Sequence, residues 1–115
     1  MAIVSFVLHG KHRGNQQLVK QAQLLFSNTY QLQFNYTEYA GHAVELARTA
    51  ATTSNYVIAV GGDGTMNEVV NGVLQSGSKT VVTGLLPCGT GNDFARSTGL
   101  QNSVTQLYQL IESKS

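Results

Sequence analysis

The sequence predicts an α/β fold, an open and mostly parallel sheet with helices on both faces. Three observations lead there. Short apolar, β-rich runs alternate with stretches of helical periodicity in the order β-α-β-α-β-α-β-α-α. Strand–helix–strand repeats pair in parallel through right-handed crossovers. The first run, Ala2–Leu8, is almost continuously apolar, as suits a strand covered on both faces. Glycine-rich loops also follow two of the strands and precede helices, which is the connection this architecture needs.

Taken in order, Ala2–Leu8 is the first strand and His9–Asn15, with Gly10 and Gly14, a polar loop. Leu18, Ala22, Leu25 and Phe26 recur at helical spacing and predict a helix over 16–27. Leu32, Phe34 and Tyr36 alternate with polar residues, so 30–37 reads as a second strand near a sheet edge. Gly41 opens a helix whose stripe is Ala43, Leu46, Ala47, Ala50 and Ala51. The strand Tyr56–Val60 runs into Gly61-Gly62-Asp63-Gly64, and Thr65–Gln75 reads as a helix with Val69, Val70, Val73 and Leu74 inward. Val81–Leu86 is the fourth strand and Pro87–Asn92 a second glycine-rich loop. A short helix at Asp93–Ser97 and a last one capped by Ser103, with Val104, Leu107, Tyr108 and Ile111 inward, complete the chain.

The 115 residues suffice for one domain. They are 42% hydrophobic and 11% charged, which supports one core and argues against a disordered tail. Seven Lys/Arg against six Asp/Glu give a net charge of +1 with no basic block. That removes the footprint of a nucleic-acid groove or a polybasic membrane anchor. The single cysteine, Cys88, rules out an internal disulfide or a cysteine-based metal site, and it reads as a small loop residue. The apolar N-terminal run is too short for a transmembrane span, and it lacks a signal peptide's basic leader. A cytoplasmic protein is expected, with no nucleic-acid partner and no transmembrane segment. A homodimer is among the assemblies left open.

In such a sheet, ligands sit outside the carboxyl ends of the strands. Three loops of unusual composition emerge there: His9–Asn15, Gly61–Asn67 and Pro87–Asp93. In Gly61-Gly62-Asp63-Gly64-Thr65-Met66-Asn67-Glu68, three glycines let the backbone turn sharply, and the following helix aims free N–H groups at an anion. Thr65 adds a hydroxyl and Asn67 an amide. Asp63 would repel a polyphosphate unless it holds Mg²⁺, directly or through water, or takes a proton from an attacking hydroxyl. The bland alternative is a tight strand-to-helix turn with Asp63 as N-cap.

The loop lacks the lysine of the Gly-x-x-x-x-Gly-Lys-Ser/Thr phosphate loop. Asn67 stands where the dinucleotide fingerprint Gly-x-Gly-x-x-Gly needs glycine. In Pro87-Cys88-Gly89-Thr90-Gly91-Asn92-Asp93-Phe94-Ala95-Arg96, Thr90 suits a phosphate or ribose, and Asn92 or Asp93 a helix cap. Lys11 and Arg13 carry the positive charge of the first loop. Both are candidates for phosphate contact, with a solvated loop as the alternative. His9 and His12, three residues apart with no third ligand in view, read as solvent-facing.

The stretches Gly61–Gly72 and Pro87–Arg96 resemble the two signatures of the diacylglycerol kinase catalytic domain family, in the same order and each after a strand. The resemblance covers nearly the whole chain. It implies a Rossmann-like domain of the NAD kinase and diacylglycerol kinase type, and transfer of the γ-phosphate of ATP to a lipid hydroxyl with Mg²⁺. It implies nucleotide-binding positions at Gly62, Asp63, Gly64, Thr65, Asn67 and Glu68, with Gly61 beside them. Thr90 belongs with these, flanked by Gly89, Gly91 and Asn92. Thr37 resembles a threonine that contacts the nucleotide near its base or ribose.

The first loop also belongs to the implied site. Its His9-Gly10-Lys11 departs from the commoner Asn-Pro-x-Ser-Gly and is closer to the Asn-Gly-Lys of some bacterial lipid kinases. Asp63 is the candidate catalytic residue within this chain, and no protein metal ligand is assigned. The family's β-rich second domain, with its catalytic base and metal ligands, is expected outside these residues, so that the chain alone is inactive. The partners implied are ATP and a lipid substrate at the membrane surface, with the protein peripheral at the inner face. An NAD kinase-like enzyme, sharing Gly-Gly-Asp-Gly and Asn67-Glu68, and a nucleotide-binding module without chemistry are the alternatives.

Overall fold

A computed structural model of the chain describes residues 2–12, 16–26 and 29–87. The elements are β1 (Ala2–Leu8), a 3-10 turn (Gly10–His12), α1 (Gln16–Phe26), β2 (Tyr30–Tyr36), α2 (His42–Ala51), β3 (Tyr56–Gly61), α3 (Asp63–Ser76) and β4 (Val82–Pro87). All pairings between these strands are parallel, in the order β2-β1-β3-β4.

Side chains alternate across a strand, so each strand divides its residues between two cores. Val4, Phe6 and Leu8 of β1 and Tyr56, Ile58 and Val60 of β3 meet Leu18, Ala22 and Phe26 of α1. That face is aromatic: Phe6 stacks on Phe34 at 5.1 Å between centroids and meets Phe26 edge-on at 6.1 Å. Val7, Val57 and Ala59 point the other way, toward Ala43, Ala47, Ala50 and Ala51 of α2 and Val69 and Val73 of α3. Small side chains let these two helices lie close. Buried Gly72 of α3 sits against the Val44 carbonyl oxygen and the Ala47 Cβ of α2.

Buried Ser5 would be costly without partners. Its Oγ donates to Gln33 Oε1 at 3.1 Å and lies 2.6 Å from Ser54 Oγ. At the amino end of the sheet, Asn55 exchanges two bonds with Ile3: Asn55 Oδ1 accepts the Ile3 N–H, and the Asn55 N–H donates to the Ile3 carbonyl, each at 2.9 Å.

The expected edge position of the second strand is observed, since β2 is outermost among the described strands. Several boundaries differ by one or two residues. The helix expected from Thr65 begins at Asp63, because the Gly62 carbonyl already accepts the Met66 N–H at 3.1 Å. Gly62 is therefore the N-cap, with no side-chain cap bond, and Asp63 is the first helical residue rather than the cap. The fourth strand runs to Pro87, whose missing N–H is tolerated at a strand end. The helices expected at Asp93–Ser97 and after Ser103 lie outside the described residues.

Because β1 lies between β2 and β3, the chain leaves β1 toward one side and returns to its other side. Helices α1 and α2, which make these two connections, cover opposite faces. The order reverses between β1 and β3, and a crevice opens at such a point outside the carboxyl ends.

Candidate functional site

The turn after β1 is fixed by bonds from three consecutive amides. The Gly10 N–H donates to Thr37 Oγ1 at 2.9 Å, the Lys11 N–H to His9 Nδ1 at 3.1 Å, and the His12 N–H to the His9 carbonyl at 2.9 Å. The Thr37 N–H returns a bond to the Leu8 carbonyl at 2.8 Å. A side chain at Gly10 would run into the Thr37 carbonyl oxygen, so only glycine permits this approach.

His9 and Lys11 are exposed, whereas His12 is buried, against the expectation of a solvent-facing ring. The 3-10 turn rotates His12 inward, which no spacing of two histidines reveals. Burial, with Lys11 and His9 beside it, holds its pKa below the ordinary 6.5.

The turn after β3 rests on Gly61, whose φ of 150° lies where L side chains rarely go. Thr65 Oγ1 packs 3.0 Å from where a Cβ would stand. This brings the first turn of α3 back over the end of its own strand. The orphan N–H groups of that turn and the positive end of the helix dipole lie at the carboxyl edge of the sheet. Asp63 stands exposed in that first turn.

A cleft of about 450 Å³ lies between these turns. Of the residues singled out from sequence, His9, Gly10, Lys11, Thr37, Thr65 and Glu68 line it. Gly61 is buried beneath Thr65. Gly62, Asp63, Gly64 and Asn67 are exposed around the same helix start but outside the lining. Gly89, Thr90, Gly91 and Asn92 lie outside the described residues. Among the described residues, no three His, Cys, Asp or Glu side chains come close enough to hold a metal ion.

The remaining wall went unread in the sequence: Glu38, Tyr39, Ala40, Gly41 and Ala43. Gly41 takes a left-handed φ of 86° as N-cap of α2. The Glu38 N–H donates to His42 Nδ1 at 3.0 Å, and Tyr39 stacks on His42 with centroids 4.3 Å apart. The Tyr39 hydroxyl donates to Glu45 Oε2 at 2.7 Å, a bond that raises its pKa above the usual tyrosine value. The available signal was position. This loop leaves the carboxyl end of the strand beside β1, and a glycine opens the next helix.

The described elements thus bring the Gly10 turn with its lysine, the loop before α2 and the first turns of α3 around one crevice at the switch point of a parallel sheet. Residues 5–115 match the diacylglycerol kinase catalytic domain. The chain belongs to this family. It is 36% identical over 105 residues to a probable lipid kinase YegS-like protein of Klebsiella pneumoniae, covering 90% of this chain and 35% of that protein. It is 37% identical over 92 residues to a diacylglycerol kinase of Bacillus subtilis, covering 79% and 30%. A diacylglycerol kinase crystal structure from Bacillus anthracis superposes with a TM-score of 0.69 at 23% identity, over 92% of this chain and 39% of that one, which shows the shared fold. The chain spans about a third of the length of these curated relatives.

Proposed function

We propose that this chain is the nucleotide-binding part of an ATP-dependent lipid kinase. The carrying observation is the cleft between the β1 turn and the start of α3, with Thr65 and Lys11 both in its wall. The α3 amides and the Thr65 hydroxyl would hold phosphate oxygens, and Lys11 would offset their charge. Family membership supports a lipid acceptor over NAD, although NAD kinases resemble the Gly-Gly-Asp-Gly turn.

Asp63 is the catalytic candidate. One exposed carboxylate fits Mg²⁺, which binds through one or two protein carboxylates together with phosphates and water. When bound, the ion would screen charge on the transferring phosphoryl group. In the reaction, a lipid hydroxyl oxygen forms a bond to the γ-phosphorus, the bond to the β–γ bridging oxygen breaks, and ADP leaves. The hydroxyl proton passes to Asp63 or to a base in a second, β-rich domain, for which the greater length of the relatives leaves room. Such an enzyme would work in the cytoplasm, peripheral at the inner membrane face. No helix among the described residues is long and apolar enough to cross a membrane.

The test uses the full-length protein, γ-labelled ATP with Mg²⁺, and diacylglycerol or NAD as acceptor. Label is expected in the lipid, and Asp63→Asn is expected to abolish transfer while leaving the circular dichroism unchanged. Label in NAD alone, or near-normal transfer by Asp63→Asn, would overturn the assignment.

A further inference from the structure

We propose that Thr37 serves the cleft as a positioning residue, its hydroxyl accepting the Gly10 N–H so that the β1 turn presents Lys11 to the nucleotide. The inference rests on the reading of the cleft as a nucleotide site. It differs from a direct contact between Thr37 and the nucleotide, and the two have opposite energetic signatures.

The Gly10 bond to Thr37 Oγ1, at 2.9 Å, joins the turn to the residue that follows β2. The other two amide bonds of the turn are internal, both running to His9. They hold the shape of the turn without setting its place. Its place is set by Thr37 from three directions: the backbone N–H grips the Leu8 carbonyl, the hydroxyl grips the Gly10 N–H, and the carbonyl oxygen occupies the space a Gly10 side chain would need. Lys11 follows Gly10 directly, and both line the cleft.

A valine at position 37 has nearly the shape of threonine and keeps the backbone bond, but it offers no acceptor to Gly10. Serine keeps the acceptor. Losing a bond of this type is worth roughly fivefold in an equilibrium constant. If that loss reaches the ligand only through the position of Lys11, it disappears once Lys11 has no charge to present. A direct contact would be lost in either background.

Mg·ATP affinity is therefore measured for the 115-residue chain by nuclear magnetic resonance titration into the millimolar range. The variants are Thr37→Val, Thr37→Ser, Lys11→Met and Thr37→Val/Lys11→Met, and amide exchange at Gly10 is followed alongside. Thr37→Val is expected to weaken binding about fivefold and to expose the Gly10 amide to exchange. Thr37→Ser should restore both, and the double variant should bind no more weakly than Lys11→Met. Additive losses in the double variant, or a Gly10 amide indifferent to valine, overturn the positioning role while leaving the nucleotide site standing. No binding by the unsubstituted chain overturns the nucleotide reading and this inference with it.

Discussion

Replacing Gly72 with alanine sets two effects of opposite sign against each other. A glycine in a helix interior costs about 1 kcal/mol relative to alanine, so α3 considered alone gains from the change. The surroundings oppose it. The added Cβ would overlap the Val44 carbonyl oxygen and stand 2.9 Å from the Ala47 Cβ and 3.0 Å from the Arg48 nitrogen. Carbon atoms pack at roughly 3.5–4.0 Å, and none of these three is the end of a flexible side chain. Relief therefore requires α2 itself to move away from α3, and the cost falls near the upper end of the range for overpacked cores, about 3 kcal/mol.

The net is a loss of about 2 kcal/mol, which for a domain of this size lowers Tm by roughly 10 °C. Urea unfolding followed by circular dichroism measures it, with the midpoint falling and the slope unchanged. Gly64→Ala, in the same helix with nothing within 4 Å of its Cβ, serves as the control and should leave stability level or higher. A Gly72→Ala midpoint at or above that of the unsubstituted chain would refute the packing argument.

Gly10→Ala should weaken Mg·ATP binding by more than roughly tenfold, because the methyl pushes the β1 turn off the Thr37 carbonyl; unchanged affinity in a titration would remove the turn from the site. His12 gives a pH-dependent prediction. Its native pKa is lowered, so below 6.5 the unfolded chain takes up a proton that the native chain resists, and stability falls as pH drops through that window. His12→Gln should flatten this part of the curve in melts between about pH 7 and pH 5, and an equal slope in the variant would show that other groups cause it.

The strands and the first three helices were legible because burial on both faces leaves apolar runs and helical stripes, although Leu74, expected to point inward, is exposed. Ala2–Leu8 and the alanines of α2 carry that pattern on the surface of the sequence. The glycine turn after β3 was equally plain, and its neighbours Lys11, Thr37, Thr65 and Glu68 do meet in the cleft. What stayed hidden depended on contacts between distant segments. Nothing in the two loops announces that Thr37 grips Gly10, 27 residues away. Tyr39 and Gly41 are ordinary loop residues until the order of strands sets their loop beside the β1 turn. His12 is buried by the pitch of a single 3-10 turn, which lies below the resolution of any periodicity.

The two turns that face each other across the cleft follow β1 and β3, strands that touch but are far apart in the chain, as the 52-residue separation of bonded Ile3 and Asn55 makes plain. Closing so long a loop precedes any reward from the contacts it makes, so this pairing forms late relative to local helices. During folding or synthesis, then, a chain that has not yet docked β3 against β1 has no cleft to offer. A ligand bound there recognises the completed topology and leaves partly folded forms unassisted. Its binding energy protects the whole sheet at once, by about 2.7 kcal/mol at roughly a hundredfold excess over Kd.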